Sequence, residues 1–143
     1  MSRPSAGQLA QTCLMVRDLD RSLALYHGLL GMPIVEVVRR DPPARAYAAL
    51  GTPENYLEIF ERRPEEGPLP ERAADQPLGL HHLAVWVEDL EGLAARLAAA
   101  GYPLTGPIRS VSRWVGAALR VAWIEDPDGV KIELLGYVGP AGD

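Results

Sequence analysis

Along the first half of the chain, the apolar positions switch from a period of two to a helical period and back. Residues 9–17, LAQTCLMVR, are apolar and partly alternating, which predicts a strand. In DLDRSLALYHGLLG, Leu19, Leu23, Tyr26 and Leu30 recur at helical spacing. Asp18 suits the N-cap of that helix, and Gly31 suits the left-handed position that ends it. PIVEVVRR is β-rich, and ARAYAAL and YLEIFE flank a Gly-Thr-Pro-Glu-Asn turn, which predicts a hairpin. Residues 63–77 are charged, rich in proline and without periodicity, so they read as a linker.

The same pattern then restarts. LHHLAVWVE predicts a strand, and DLEGLAARLAAAG a helix with Asp89 at its N-cap and Gly101 at its end. RSVSRW predicts a further strand, and ALRVAWIE and VKIELLGY a hairpin closed by Asp-Pro-Asp-Gly, strong turn chemistry. Laying Gln11 on His82 puts Val16 on Val87, Asp18 on Asp89 and Leu19 on Leu90; laying Glu58 on Glu133 matches LEIF with IELL. The chain therefore reads as α+β, with two tandem βαβββ modules at about 8–62 and 78–137. A single module leaves an apolar sheet face uncovered, and its twin can supply the cover.

Alternation sorts the side chains of these strands. Gln11, Cys13 and Met15 share one face of the first strand, and His82, Ala84 and Trp86 one face of the fifth. The wholly apolar Leu83, Val85 and Val87 belong under a helix, which leaves His81 at the start of the strand, on the helix side and near solvent. The hairpins add Tyr56, Glu58 and Phe60 in one half, and Lys131, Glu133 and Leu135 in the other. Glu58 and Glu133 are carboxylates inside apolar strands, where an uncompensated charge costs several kcal/mol. Singly, each has an ordinary explanation: solvation, or pairing with Arg45, Arg62, Arg113 or Arg120. Together, Gln11, Glu58, His82 and Glu133 fall at two pairs of equivalent positions, and four N/O donors of this kind suit a divalent cation. Lys131 reads as an exposed edge lysine or as an anion clamp at a cavity rim. Met15 and Trp86 read as pocket wall or as core. Cys13 reads as a small apolar filler, since nothing basic adjoins it in sequence.

Composition narrows the classes. The 143 residues are 48% hydrophobic and 23% charged, enough for an ordinary core. A net charge of −5 argues against a nucleic-acid partner. No apolar run nears the ~18 residues of a membrane span. MSRPSAGQLA lacks the apolar core of a signal peptide. The single cysteine, Cys13, excludes an internal disulfide and a multi-cysteine metal site. A cytoplasmic location is the expectation.

QTCLMVRDLDRSLALYHGLLGM, GLHHLAVWVEDLEGLAARLAAAGYPL and DPDGVKIELL resemble the vicinal oxygen chelate superfamily over nearly the whole chain. The resemblance implies a single such domain over 1–143, its paired modules forming a cup-shaped mixed sheet with the helices outside. At the metal ligands the chain is most similar to glyoxalase I, whose ligand positions fall on Gln11, Glu58, His82 and Glu133. Positions that bind glutathione in eukaryotic glyoxalase I, or flank its ligands, hold Met15, Leu78, Arg62 and Lys131 here. The likeness thus covers the metal ligands and not the thiol carrier. GLHHLAV also resembles methylmalonyl-CoA epimerase, although that family usually opens its ligand set with histidine. Extradiol dioxygenases would need a first histidine where Gln11 stands. Bleomycin-resistance-type proteins share the fold without the metal and hold flat drugs between aromatics, for which Trp86, Trp114 and Trp123 are available.

What the glyoxalase I likeness implies is a lyase or isomerase that removes a proton next to a carbonyl, with one divalent metal stabilising the enediolate. Zinc or nickel is implied first, then cobalt or manganese. Glu133 would be the main base as well as a ligand, Glu58 the ligand able to exchange roles with it, and Gln11 and His82 the remaining ligands. The substrate would be a small 2-oxo compound or thiol adduct. A homodimer is implied as well.

Overall fold

In a computed structural model, residues 6, 9–41, 45–62, 64–66, 80–112 and 118–138 are described. The predicted linker 63–77, Leu78, Arg113 and Trp114 lie wholly or largely outside them. The chain divides into two compact units, Met1–Leu69 and Pro70–Asp143.

The first unit runs β1 (Gln11–Val16), α1 (Leu19–Leu23), β2 (Ile34–Val38), β3 (Tyr47–Thr52) and β4 (Asn55–Glu61). Its sheet has the order β1-β4-β3-β2, with β1 parallel to β4 and the other pairings antiparallel. Asp18 caps α1 as expected, its Oδ1 accepting from the Arg21 N–H at 3.0 Å. The Glu61 carboxylate, at the end of β4, accepts from the Leu19 N–H at 2.8 Å. A negative charge is favourable at a helix N-terminus, and this one also ties α1 to the sheet. The helix does not continue as a regular α-helix. Ala24–Leu29 widens to a π-helix, and the Leu30 N–H reaches back five residues to the Leu25 carbonyl at 2.9 Å. The wider turn buries Leu25 together with Tyr26, and leaves Leu23 only half-buried. Gly31 follows at φ +75°, the conformation expected of it. The hairpin is tighter than expected: the ladder runs on to Thr52 opposite Asn55, so only Pro53 and Glu54 form the turn.

The second unit repeats the plan with β5 (His82–Trp86), α2 (Leu90–Ala99), β6 (Arg109–Ser112), β7 (Ala118–Glu125) and β8 (Lys131–Tyr137). The order is β5-β8-β7-β6, again with the first pair parallel. Leu90, Leu93 and Leu97 form the buried stripe of α2. Leu90 packs against β8 at Gly136, where even an added Cβ would stand at ordinary contact distance, 3.6 Å from the Leu90 Cβ. Each unit is thus a β-α-β-β-β module with a four-stranded mixed sheet. No helix among the described residues is long and apolar enough to cross a membrane.

Candidate active site

Strand register explains how each unit gathers its polar pair. In the first unit Gln11 stands opposite Tyr56 and Cys13 opposite Glu58, across the parallel β1/β4 pairing. Glu58 is therefore the diagonal neighbour of Gln11 on the same face, within reach of a long side chain. The Gln11 Nε2–H donates to Glu58 Oε2 at 2.9 Å. In the second unit His82 stands opposite Lys131 and Ala84 opposite Glu133, across β5/β8. Glu133 is the same diagonal neighbour of His82, and His82 Nε2 lies 3.4 Å from Glu133 Oε2. The two halves thus repeat both the residue class and the register. Among the described residues, no three His, Cys, Asp or Glu side chains gather into one cluster; each unit brings a pair together.

The surroundings of the pairs differ. Opposite Glu58 on its other side is Ala49, whereas opposite Glu133 is Trp123. Glu133 is only 5% exposed, and Glu58 is half-buried. The Trp123 ring meets the His82 ring edge-on, with centroids 4.8 Å apart. Of the arginines available to these carboxylates in the sequence, Arg45 pairs with Glu66 and Arg120 with Glu91. The Arg62 guanidinium donates to the Glu66 carbonyl at 2.7 Å.

The remaining expected residues lie on the same sheet faces. Met15, opposite Phe60, is well exposed, and Arg45 Nη1 sits 3.2 Å from its sulfur. Phe60 packs on Tyr47 with ring centroids 5.4 Å apart. Trp86 stacks nearly parallel on Tyr137 at 4.7 Å, and both rings are about half exposed or more. Lys131 lines a cavity of about 210 Å³ with His81, Thr105, Trp123, Ile124 and Glu125. Cys13 is exposed rather than filling the core. Desolvation, then the neighbouring Glu58 carboxylate, push its thiol pKa up, and Arg45 opposes them. Its alkylation by iodoacetamide at pH 8 should therefore be slower than that of an unstructured cysteine, because less thiolate is present. Glu58→Gln removes one cause of the upward shift and should speed the reaction; an unchanged or slower rate would contradict this.

Two contacts were not visible in the sequence pattern. Arg45 precedes β3 and reaches Met15 from outside the ladder, so alternation gives no hint of it. His81 precedes the first ladder residue of β5, so its ring is free of the strand's alternation. Its Nδ1 lies 2.9 Å from His82 Nδ1.

The chain belongs to the Glyoxalase/Bleomycin resistance protein/Dioxygenase superfamily, whose profile it matches over residues 8–134. The lactoylglutathione lyase of Salmonella typhimurium is 30% identical over 132 residues, covering 90% of this chain and 91% of that protein. Among solved structures, the trypanothione-dependent glyoxalase I of Leishmania major superposes with a TM-score of 0.67 at 27% identity, covering 92% of this chain and 87% of that one. A glyoxalase family protein from Enterococcus faecalis gives a TM-score of 0.66 at 25% identity, covering 91% and 98%.

Proposed function

We propose that the protein is a metal-dependent lyase or isomerase of the glyoxalase I type, acting on a small 2-oxo compound or thiol adduct. The observation that carries this reading is the repeated diagonal pair: Gln11 with Glu58 on β1/β4, and His82 with Glu133 on β5/β8. The relatives named lactoylglutathione lyase support the same chemistry. One amide oxygen, one imidazole nitrogen and two carboxylates make a donor set suited to a divalent ion such as zinc, nickel, cobalt or manganese. Two carboxylates would offset the 2+ charge of such an ion.

When bound, the ion would supply Lewis-acid polarisation of the substrate carbonyl. The rest of the work belongs to the side chains. Glu133 takes the proton from the carbon next to the carbonyl and returns it to the neighbouring atom or the other face. Its position in β8, mostly shielded and flanked by Trp123, holds the carboxylate in one place and limits exchange of that proton with bulk water. Glu58 is the second carboxylate able to take the proton in the opposite sense. Gln11 and His82 would be the remaining ligands of the ion. Met15, Phe60 and Cys13 on the first sheet, and Trp86 and Lys131 on the second, are the side chains proposed to meet substrate. The same reading includes a homodimer in the cytoplasm.

The test is an assay of hemithioacetals of several thiols alongside epimerisable thioesters. Turnover that EDTA abolishes and a divalent ion restores is the expected outcome. A full panel without turnover at any metal would overturn the enzyme reading. One observation favours a second reading: the exposed Trp86–Tyr137 stack could hold a flat aromatic ligand, as bleomycin-resistance-type proteins do. That binding would quench tryptophan fluorescence and be indifferent to EDTA.

A further inference from the structure

His81 and His82 meet through their Nδ1 atoms at 2.9 Å, with the rings edge-on at 87°. Two imidazole nitrogens at that distance hold one proton between them. Two bare nitrogens would set lone pair against lone pair, and two protonated ones hydrogen against hydrogen. One ring therefore donates and the other accepts. If His82 donates, its proton sits on Nδ1 and its Nε2 lone pair is free. If His81 donates, the proton of His82 sits on Nε2, facing Glu133 Oε2 at 3.4 Å. The choice at one contact thus sets what His82 offers on its opposite edge. Trp123, packed edge-on against the His82 ring, restrains that ring from another direction.

We propose that His81 is a positioning residue that accepts the His82 Nδ1–H and so holds His82 Nε2 unprotonated, ready to ligate a divalent cation. The inference rests on the metal reading above. In going from the metal-free form in which His81 donates, the shared proton passes from His81 Nδ1 to His82 Nδ1. The Nε2 proton of His82 leaves to water, and His81 Nε2 takes one from water. Each ring carries one proton before and after, so the pair changes tautomer without changing charge. A fixed partner on the far nitrogen of a ligating histidine orients the ring and strengthens the ligand.

The test uses His81→Ala and His81→Phe, which remove the acceptor, and His81→Asn, whose side-chain oxygen can take over the Nδ1 position. Zinc affinity is read by titration calorimetry on full-length protein, with thermal melting as the check on folding. The Ala and Phe variants should bind zinc roughly 10-fold more weakly or worse, and Asn should recover most of the loss. Nitrogen-15 NMR of the zinc-loaded wild type should show the His82 proton on Nδ1. Wild-type affinity in both His81→Ala and His81→Phe would overturn the inference. A wild type that takes up no zinc would sink the metal reading on its own. The pairing is then decided in metal-free protein, where one of the two Nδ1 atoms should be protonated and the other bare. Two bare Nδ1 atoms there would overturn it.

Discussion

Replacing Glu133 with glutamine should lower kcat/KM by about 10²–10⁴-fold, the usual worth of a positioned general base. That range corresponds to roughly 3–5 kcal/mol of the barrier. Glutamine keeps the shape of the side chain and loses the group that carries the proton. The substitution should leave folding intact, because Glu133 is held by strand register with Ala84 and Trp123 rather than by its charge alone. Glu58→Gln should cost less, since Glu133 would still be present as the main base. A Glu133→Gln protein that keeps activity within about tenfold of wild type would remove Glu133 from the base role and turn attention to Glu58.

The largest expected effect on stability lies in the turn that feeds β8. Asp126 is buried, and its Oδ1 accepts from the backbone N–H groups of Asp128 and Val130, each at 2.8 Å. The Asp126 N–H donates to the Val130 carbonyl at 2.9 Å, and the Gly129 N–H to the Asp126 carbonyl at 3.0 Å. Gly129 takes φ +80°, which an L side chain rarely adopts. Asp126→Ala removes both carboxylate bonds and strands their donors. A loss of about 2–4 kcal/mol is expected, read by urea or thermal unfolding. Asp126→Asn keeps an acceptor oxygen and should lose less. Because β8 begins at Lys131, a loosened turn should also reduce activity in the Ala variant before it unfolds. A change below about 0.5 kcal/mol would show that the turn holds without its carboxylate.

Much of this was legible in the sequence because the features are local or periodic. Asp18 and Asp89 cap their helices through their own side chains, and Asp-Pro-Asp-Gly dictates its own turn. Strict alternation placed Gln11, Cys13 and Met15 on one face and His82, Ala84 and Trp86 on one face, because the side-chain period of a strand is two. Internal duplication then matched the two polar pairs, which the register reproduces. The widening of the first helix after Leu23 was not legible: Leu19, Leu23, Tyr26 and Leu30 fit an unbroken α-helix equally well, and only tertiary packing selects Leu25 for burial. Cys13 is exposed, not the small filler its apolar neighbours suggest, because alternation assigns a side chain to a sheet face without saying whether that face is covered. The contacts of Arg45 with Met15 and of His81 with His82 come from residues just outside the ladders, where periodicity carries no information.

Metal content is the most direct test of the proposed centre. Purified, untagged wild type and His82→Ala should be compared by inductively coupled plasma mass spectrometry. A single divalent ion per chain in the wild type, lost in His82→Ala, is the expected result. A metal-free wild type that also takes up no added zinc, nickel, cobalt or manganese would contradict it, and the repeated polar pairs would then be structural hydrogen bonds in the two sheets.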